Sequence, residues 1–383
     1  MWEAITQTYV ASYGQGGDQG GGEAPVELKT PKMIVQELDK TVIGQNKAKE
    51  LVAIAAFNRL LSMSNRQVGR DEKDYYFEKN NILLIGNTGC GKTHLIKALA
   101  NAVSLPVTIQ DATSFTSAGY VGRDVDQCID ELFENAAKII EKQYDTSTMT
   151  NSTRKELVKK VAEYGIVYVD EADKIRASDG SGKDVNGRSV QEAFLKMVEG
   201  TEVKVRTYSY CGNVDTSNML FIFGGAFSGL DKLIGQRTNA KSIGFSGSMP
   251  TAEDKANILE KVNIGDFTMY GMIPELMGRL PTVAILKELN REMIFQIFTQ
   301  PDRCIMSQVI NEFKSYGIEV QFTEDAINHI VDKTMEIKLG ARGLRSTCQQ
   351  LLRPLFFHLP SNLIDTPLII TKEMITNFEE GDI

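Results

Sequence analysis

The chain has 383 residues, 42% hydrophobic and 24% charged, with 50 acidic against 42 basic side chains and a formal charge of -8. That balance excludes a disordered polyampholyte, and the length suffices for two domains, each with its own core. No apolar run approaches the roughly 18 residues a membrane helix needs, and the acidic excess argues against broad electrostatic binding to nucleic acid or anionic lipid.

In chain order, Tyr13 to Glu23 (YGQGGDQGGGE) is too glycine-rich to offset its ordering entropy, so residues 1–29 are expected to form a flexible tail. Order is expected from Thr30-Pro31, a polar cap followed by proline at the first helical position. A longer helix follows from Gln45 to about Met63, with Ala48, Leu51, Val52, Ala55 and Ala56 on one face. Short apolar runs then recur at Asn81–Ile85, Val107–Gln110, Ile166–Val169 and Met219–Phe223, with a fifth at Thr282–Leu286, separated by helical patterns. Such runs predict a parallel sheet covered on both faces, an α/β fold. The polar tract Asp145–Thr153 (DTSTMTNST) has no periodicity and reads as a surface loop. Beyond Pro281 the character changes: helical patterns dominate from Asn290, with strand candidates only at Glu319–Phe322 and Leu368–Thr371. The expected division is a large domain over 30–286 and a smaller, mostly helical α+β domain over 287–383.

The five cysteines (Cys90, Cys128, Cys211, Cys304, Cys348) are widely spaced and there are only three histidines, so neither a disulfide framework nor a zinc knuckle is expected. Residues 1–28 contain no Lys or Arg, which argues against a secretory or transit segment and for a reducing cytoplasm.

The strongest chemical signal is GNTGCGKT, Gly86 to Thr93, which follows an apolar strand and opens a helix. Its glycines let backbone N–H groups converge on phosphate oxygens, and the helix start adds a favourable dipole. Asn87, Thr88, Gly89, Cys90, Gly91, Lys92, Thr93 and His94 are therefore expected at a nucleotide, with Lys92 on the β/γ-phosphates and the Thr93 hydroxyl on Mg²⁺. The run IVYVDE supplies the metal-side carboxylate, Asp170, at the C-terminal end of a buried strand, and Glu171 beside it as general base for water. No Asn-Lys-x-Asp guanine signature occurs, so ATP is the expected nucleotide. Cys90 lies inside the loop, and an accessible thiol there would be protected by nucleotide.

Several further segments complete a resemblance: TVIGQ (41–45), DATSFTSAGYVGRDV (111–125), GIVYVDEADKI (165–175), VDTSNMLFIFGGAF (214–227), IPELMGRLP (273–281) and GARGLRS (340–346). From about Lys29 onward the chain resembles the ClpX-type AAA+ unfoldases, ATP-binding subunits of Clp protease. The resemblance implies a P-loop AAA+ large domain with a lid domain, a homo-hexameric ring, a ClpP-like peptidase partner, and unfolded or tagged proteins as substrates. It implies that Val42 and Ile43 contact adenine, that Arg342 is the sensor-2 arginine, and that Arg279 is a finger acting on a neighbouring subunit's ATP. It assigns Tyr120 and Val121 to the substrate-gripping pore loop, and Ile243, Gly244 and Phe245 to the peptidase-docking tripeptide. The family's N-terminal zinc domain and its basic pore-entrance loop have no counterpart in this sequence, and Asp145–Thr153 looks like an insertion. The phosphate motif taken alone also suits a small-molecule kinase or a nucleotide-binding interaction protein. An HslU-like chaperone acting without ClpP is a further alternative within the same superfamily.

Overall fold

The computed structural model describes residues 29–67, 80–103, 105–115, 124–143, 149–177, 185–238, 258–300, 304–358 and 367–380. Among the described residues, seven strands precede residue 287: β1 (Ile82–Ile85), β2 (Val107–Asp111), β3 (Ile166–Asp170), β4 (Glu202–Arg206), β5 (Cys211–Asp215), β6 (Leu220–Gly225) and β7 (Thr282–Ile285). Five of them form a parallel sheet in the order β2-β3-β6-β1-β7, as the short apolar runs predict.

The two-residue period of a strand divides that sheet between two cores. Ile82, Leu84, Ile166, Tyr168, Leu220 and Ile222 face one, together with α1 (Pro31–Asp39), α2 (Asn46–Gln67) and α3 (Lys92–Ala102). Leu83, Ile85, Val167, Val169, Phe221 and Phe223 face the other, against α4 (Gln127–Gln143), α5 (Asn151–Ala162) and α6 (Val185–Glu199). Three shorter helices, α7 (Leu230–Thr238), α8 (Ile264–Tyr270) and α9 (Pro274–Gly278), close that second side.

Local chemistry sets the helix starts. Thr30 caps α1 by accepting from the Met33 N–H at 3.4 Å, with proline at the first turn. The tract expected as a loop through Thr153 is corrected at its end. Thr150 caps α5 by accepting from the Thr153 N–H at 3.2 Å, so residues 151–153 are helical. The β4–β5 hairpin was not anticipated. Val203 and Val205 point inward between exposed Glu202, Lys204 and Arg206, and Tyr210 rests on Phe133 with ring centroids 4.9 Å apart.

From residue 291 the chain forms α10 (Arg291–Thr299), α11 (Ile305–Ser315), β8 (Val320–Phe322), α12 (Glu324–Ile337), α13 (Ala341–His358), β9 (Leu368–Ile370) and α14 (Lys372–Glu380). The two strands pair with each other in parallel, and a third core around Phe298, Phe313, Ile330 and Leu352 draws, among the described residues, on positions 289–375.

One buried charge holds the second side together. Asp266, fully buried at the start of α8, forms a capping box with Asn263 and accepts from the Arg237 guanidinium at 2.7 and 2.8 Å. Burial alone would raise its pKa, but the Arg237 hydrogen bonds and charge and the Asn263 N–H hold the carboxyl below the usual carboxylate range. A carboxylate with a depressed folded pKa contributes stability above its unfolded value, near 3.9, and loses it as pH falls through the folded value. Asp266→Asn should therefore cost on the order of 2 kcal/mol at pH 7, and thermal unfolding should show the gap to wild type closing below about pH 4.

Candidate nucleotide-binding site

The parallel order brings the C-terminal ends of β1, β3 and β6 side by side, where open α/β sheets place their ligand crevice. The loop Gly86–Gly91 leaves β1 there and turns into α3. Gly89 and Gly91 take φ of 83° and 101°, conformations that side chains resist. Gly91 also stands at the N-cap with no side chain to satisfy the first turn, which leaves helix N–H groups directed at the cavity.

The side chains around the loop converge. Lys92 curls back so that its ammonium donates to the Gly86 carbonyl at 2.5 Å and the Asn87 carbonyl at 3.3 Å. The Thr93 hydroxyl donates to Asp170 Oδ2 at 2.5 Å. Asp170 Oδ1 accepts from the Tyr168 hydroxyl at 3.1 Å and from the Glu171 N–H at 3.0 Å. Tyr168 and Asp170 are two apart on β3 and share a face, so the buried phenol supports the carboxylate from below. Burial and the neighbouring Asp170 charge push the Tyr168 phenol far up, and it stays a donor. Glu171 follows in the left-handed region at φ 55°, exposed at the cavity.

A cavity of about 660 Å³ lies between this loop and the C-terminal core, large enough for a nucleotide. Thr41, Val42, Ile43 and residues 88–94 line one side with Asp170 and Glu171, and Leu289, Ile297, Ile305, Ala341 and Arg342 line the other. Val42 is buried, and the exposed His94 ring meets the Thr41 carbonyl at 3.1 Å. Asn87 is turned away, its amide donating to Glu288. Arg279 is also outside the cavity: its guanidinium holds Glu199 at 2.8 and 3.1 Å on the surface. Tyr120, Val121, Ile243, Gly244 and Phe245 lie outside the described residues.

The two sides of the cavity meet backbone to backbone. The Ala341 N–H donates to the Gly89 carbonyl at 3.2 Å. A Cβ on Gly89 would lie 2.2 Å from the Leu339 carbonyl, and one on Gly340 would lie 2.7 Å from the Gly89 carbonyl. Neither Gly340 nor Tyr168 was singled out from the sequence. The only hints were a glycine beside Arg342 and a tyrosine two residues before Asp170.

Protection of Cys90 by nucleotide was expected only for an accessible thiol, and that condition is not met. Cys90 is 4% exposed, and burial raises its thiol pKa despite the nearby Lys92 charge. Cys128, Cys304 and Cys348 are buried too, whereas Cys211 on β5 is exposed. A thiol titration should find one fast-reacting cysteine in the native protein and five in denaturant, with no change in the native count on adding ATP.

A family model described as AAA domain (Cdc48 subfamily) matches residues 78–283, and one described as the C-terminal, D2-small domain of ClpB protein matches residues 289–362. The chain is 37% identical over 362 residues to the protein of Treponema denticola named ATP-dependent Clp protease ATP-binding subunit ClpX, covering 91% of this chain and 82% of that protein. Proteins of the same name from Borrelia duttonii and Borrelia recurrentis are each 36% identical over 369 residues, covering 93% of this chain and 80% of theirs. With the glycine-rich loop, Asp170 and Arg342 gathered at one cavity, and with relatives matched along nearly its whole length, the chain belongs to the ClpX-type AAA+ ATPases.

Proposed function

We propose that this chain is an ATP-driven protein unfoldase and translocase that assembles as a homo-hexamer in the cytoplasm and feeds a ClpP-like peptidase. The observation that carries this reading is the split placement of the two arginines. Arg342 lines the cavity of its own chain, whereas Arg279 lies outside it, exposed on the surface and paired with Glu199. That placement leaves Arg279 free to serve a neighbouring subunit's nucleotide, the role the family resemblance implies, and so favours a ring over a monomer-active small-molecule kinase. In this reading the large domain runs over 30–286 and the lid over 287–383, and the separate core over 289–375 supports that division.

Each residue then has a task. Lys92 exchanges the Gly86 carbonyl for the β- and γ-phosphates, and the N–H groups of Gly89 to Thr93 cradle them. Thr93 and Asp170 would hold Mg²⁺, which supplies charge neutralisation at the β/γ-phosphates, and the convergence of their oxygens to 2.5 Å fits that role. Glu171, exposed at the cavity and turned outward by its left-handed backbone, takes the proton of the attacking water. Arg342 binds the nucleotide from the lid, and the neighbour's Arg279 stabilises the charge of the transition state. Tyr120 and Val121 grip the substrate chain, and Ile243, Gly244 and Phe245 dock on the peptidase.

ATP-dependent loss of fluorescence from a tagged, folded fluorescent protein tests the reading. The wild-type protein should unfold it, and Glu171→Gln should lose at least a hundredfold in ATP turnover while still binding ATP. No unfolding by wild type, or unimpaired unfolding by Glu171→Gln, would overturn it.

A further inference from the structure

A second side chain, absent from the cavity lining, joins the phosphate loop to the lid. Gln45 is 7% exposed and sits just after Gly44, both in the left-handed region at φ 59° and 64°. That turn aims its amide at the segment between β7 and α10. Gln45 Nε2 donates to the Lys287 carbonyl at 2.8 Å, and Gln45 Oε1 accepts from the Lys287 N–H at 2.9 Å. The same Nε2 reaches the Cys90 carbonyl at 3.3 Å. The sheet ladder ends one residue earlier, where the Leu286 N–H donates to the Ile85 carbonyl at 2.7 Å. The first peptide groups that leave the sheet toward the lid are thus held by Gln45.

We propose that Gln45 is a positioning residue that transmits the state of the phosphate loop to the lid, an inference that rests on the proposed reading of the chain as an ATP-driven unfoldase. The lever is the peptide unit between Cys90 and Gly91. It is planar, so its two ends turn together. Its carbonyl is held by Gln45, and its N–H end belongs to Gly91, which lines the cavity. Rotation of that N–H toward phosphate shifts the carbonyl, and with it the amide that grips Lys287. The preceding carbonyl, that of Gly89, holds Ala341 directly. Two consecutive loop carbonyls are therefore attached to the lid at two places, the start of its linker and the start of α13.

The test uses the full chain labelled for energy transfer at native Cys211 and at Ser315→Cys, both exposed positions, one on β5 and one at the end of α11. Gln45→Met keeps the side-chain length and removes every hydrogen bond, and Gln45→Glu keeps the acceptor and removes the donor. Both should bind ATPγS within about threefold of wild type and keep the KM for ATP. Each should lose the ATPγS-induced change in transfer and at least tenfold in substrate unfolded per ATP. A full transfer response and full coupling in Gln45→Met would overturn the proposal. Should either variant fail to fold, hydrogen exchange at the Lys287 amide of the wild-type protein decides: a tenfold change on adding ATPγS supports the lever, and an unchanged rate contradicts it. Failure of the wild type to unfold any substrate would overturn the functional reading instead, and the Lys287 exchange would still report on the lever.

Discussion

The close approach of Gly89 to Gly340 is the constraint on which the site depends. Phosphate loops need backbone freedom to turn their N–H groups inward, yet here the outer side of the loop is also a docking surface. The Gly89 carbonyl accepts from the Ala341 N–H, and a side chain on either glycine would collide with the opposite backbone. The start of α13 is thereby pressed onto the loop, which puts Arg342 into the cavity. Glycine at position 89 thus serves two purposes: a positive φ for the phosphates and room for the lid.

The rest of the fold supplies rigidity behind that contact. Alternate residues of β1, β3 and β6 enter two separate cores, so the strands that carry the loop and Asp170 are pinned from both faces. Tyr168 fills the space left by Gly224, where a Cβ would lie 2.2 Å from its hydroxyl, and it reaches up to Asp170. The Asp170 carboxylate accepts from three donors, the Thr93 and Tyr168 hydroxyls and the Glu171 N–H. By contrast, the segment from residue 287 onward packs around its own core, and among the described residues hydrogen bonds of Gln45, Asn87 and Ala341 join it to the loop. A stiff sheet and a separately packed lid are the parts a cyclic motor requires.

Much of this was legible from the sequence because its causes are local. Short apolar runs locate the five strands, and GNTGCGKT and IVYVDE point to their chemistry through residue type and spacing. The resemblance to ClpX-type proteins could be read from separate motifs, and it extends to residues whose partners are not in one chain. What escaped depends on distant partners. The β4–β5 hairpin alternates for only five residues per strand, too few to stand out from loop. Tyr168 read as one more apolar strand residue, and Gln45 as the end of a motif, because their partners become visible only when the sheet is built. Whether the Cys90 thiol is accessible could not be read from its place in the loop; it is buried, and burial raises its pKa.

In the proposed ring, ATP turnover is a property of neighbouring subunits, since each chain carries Arg342 at its own cavity and Arg279 away from it. The most direct measurement is specific ATPase activity against protein concentration, with particle mass recorded on the same samples. Activity should rise together with the hexamer population and be near zero where monomers prevail. Constant specific activity across that range, with monomers fully active, would contradict it.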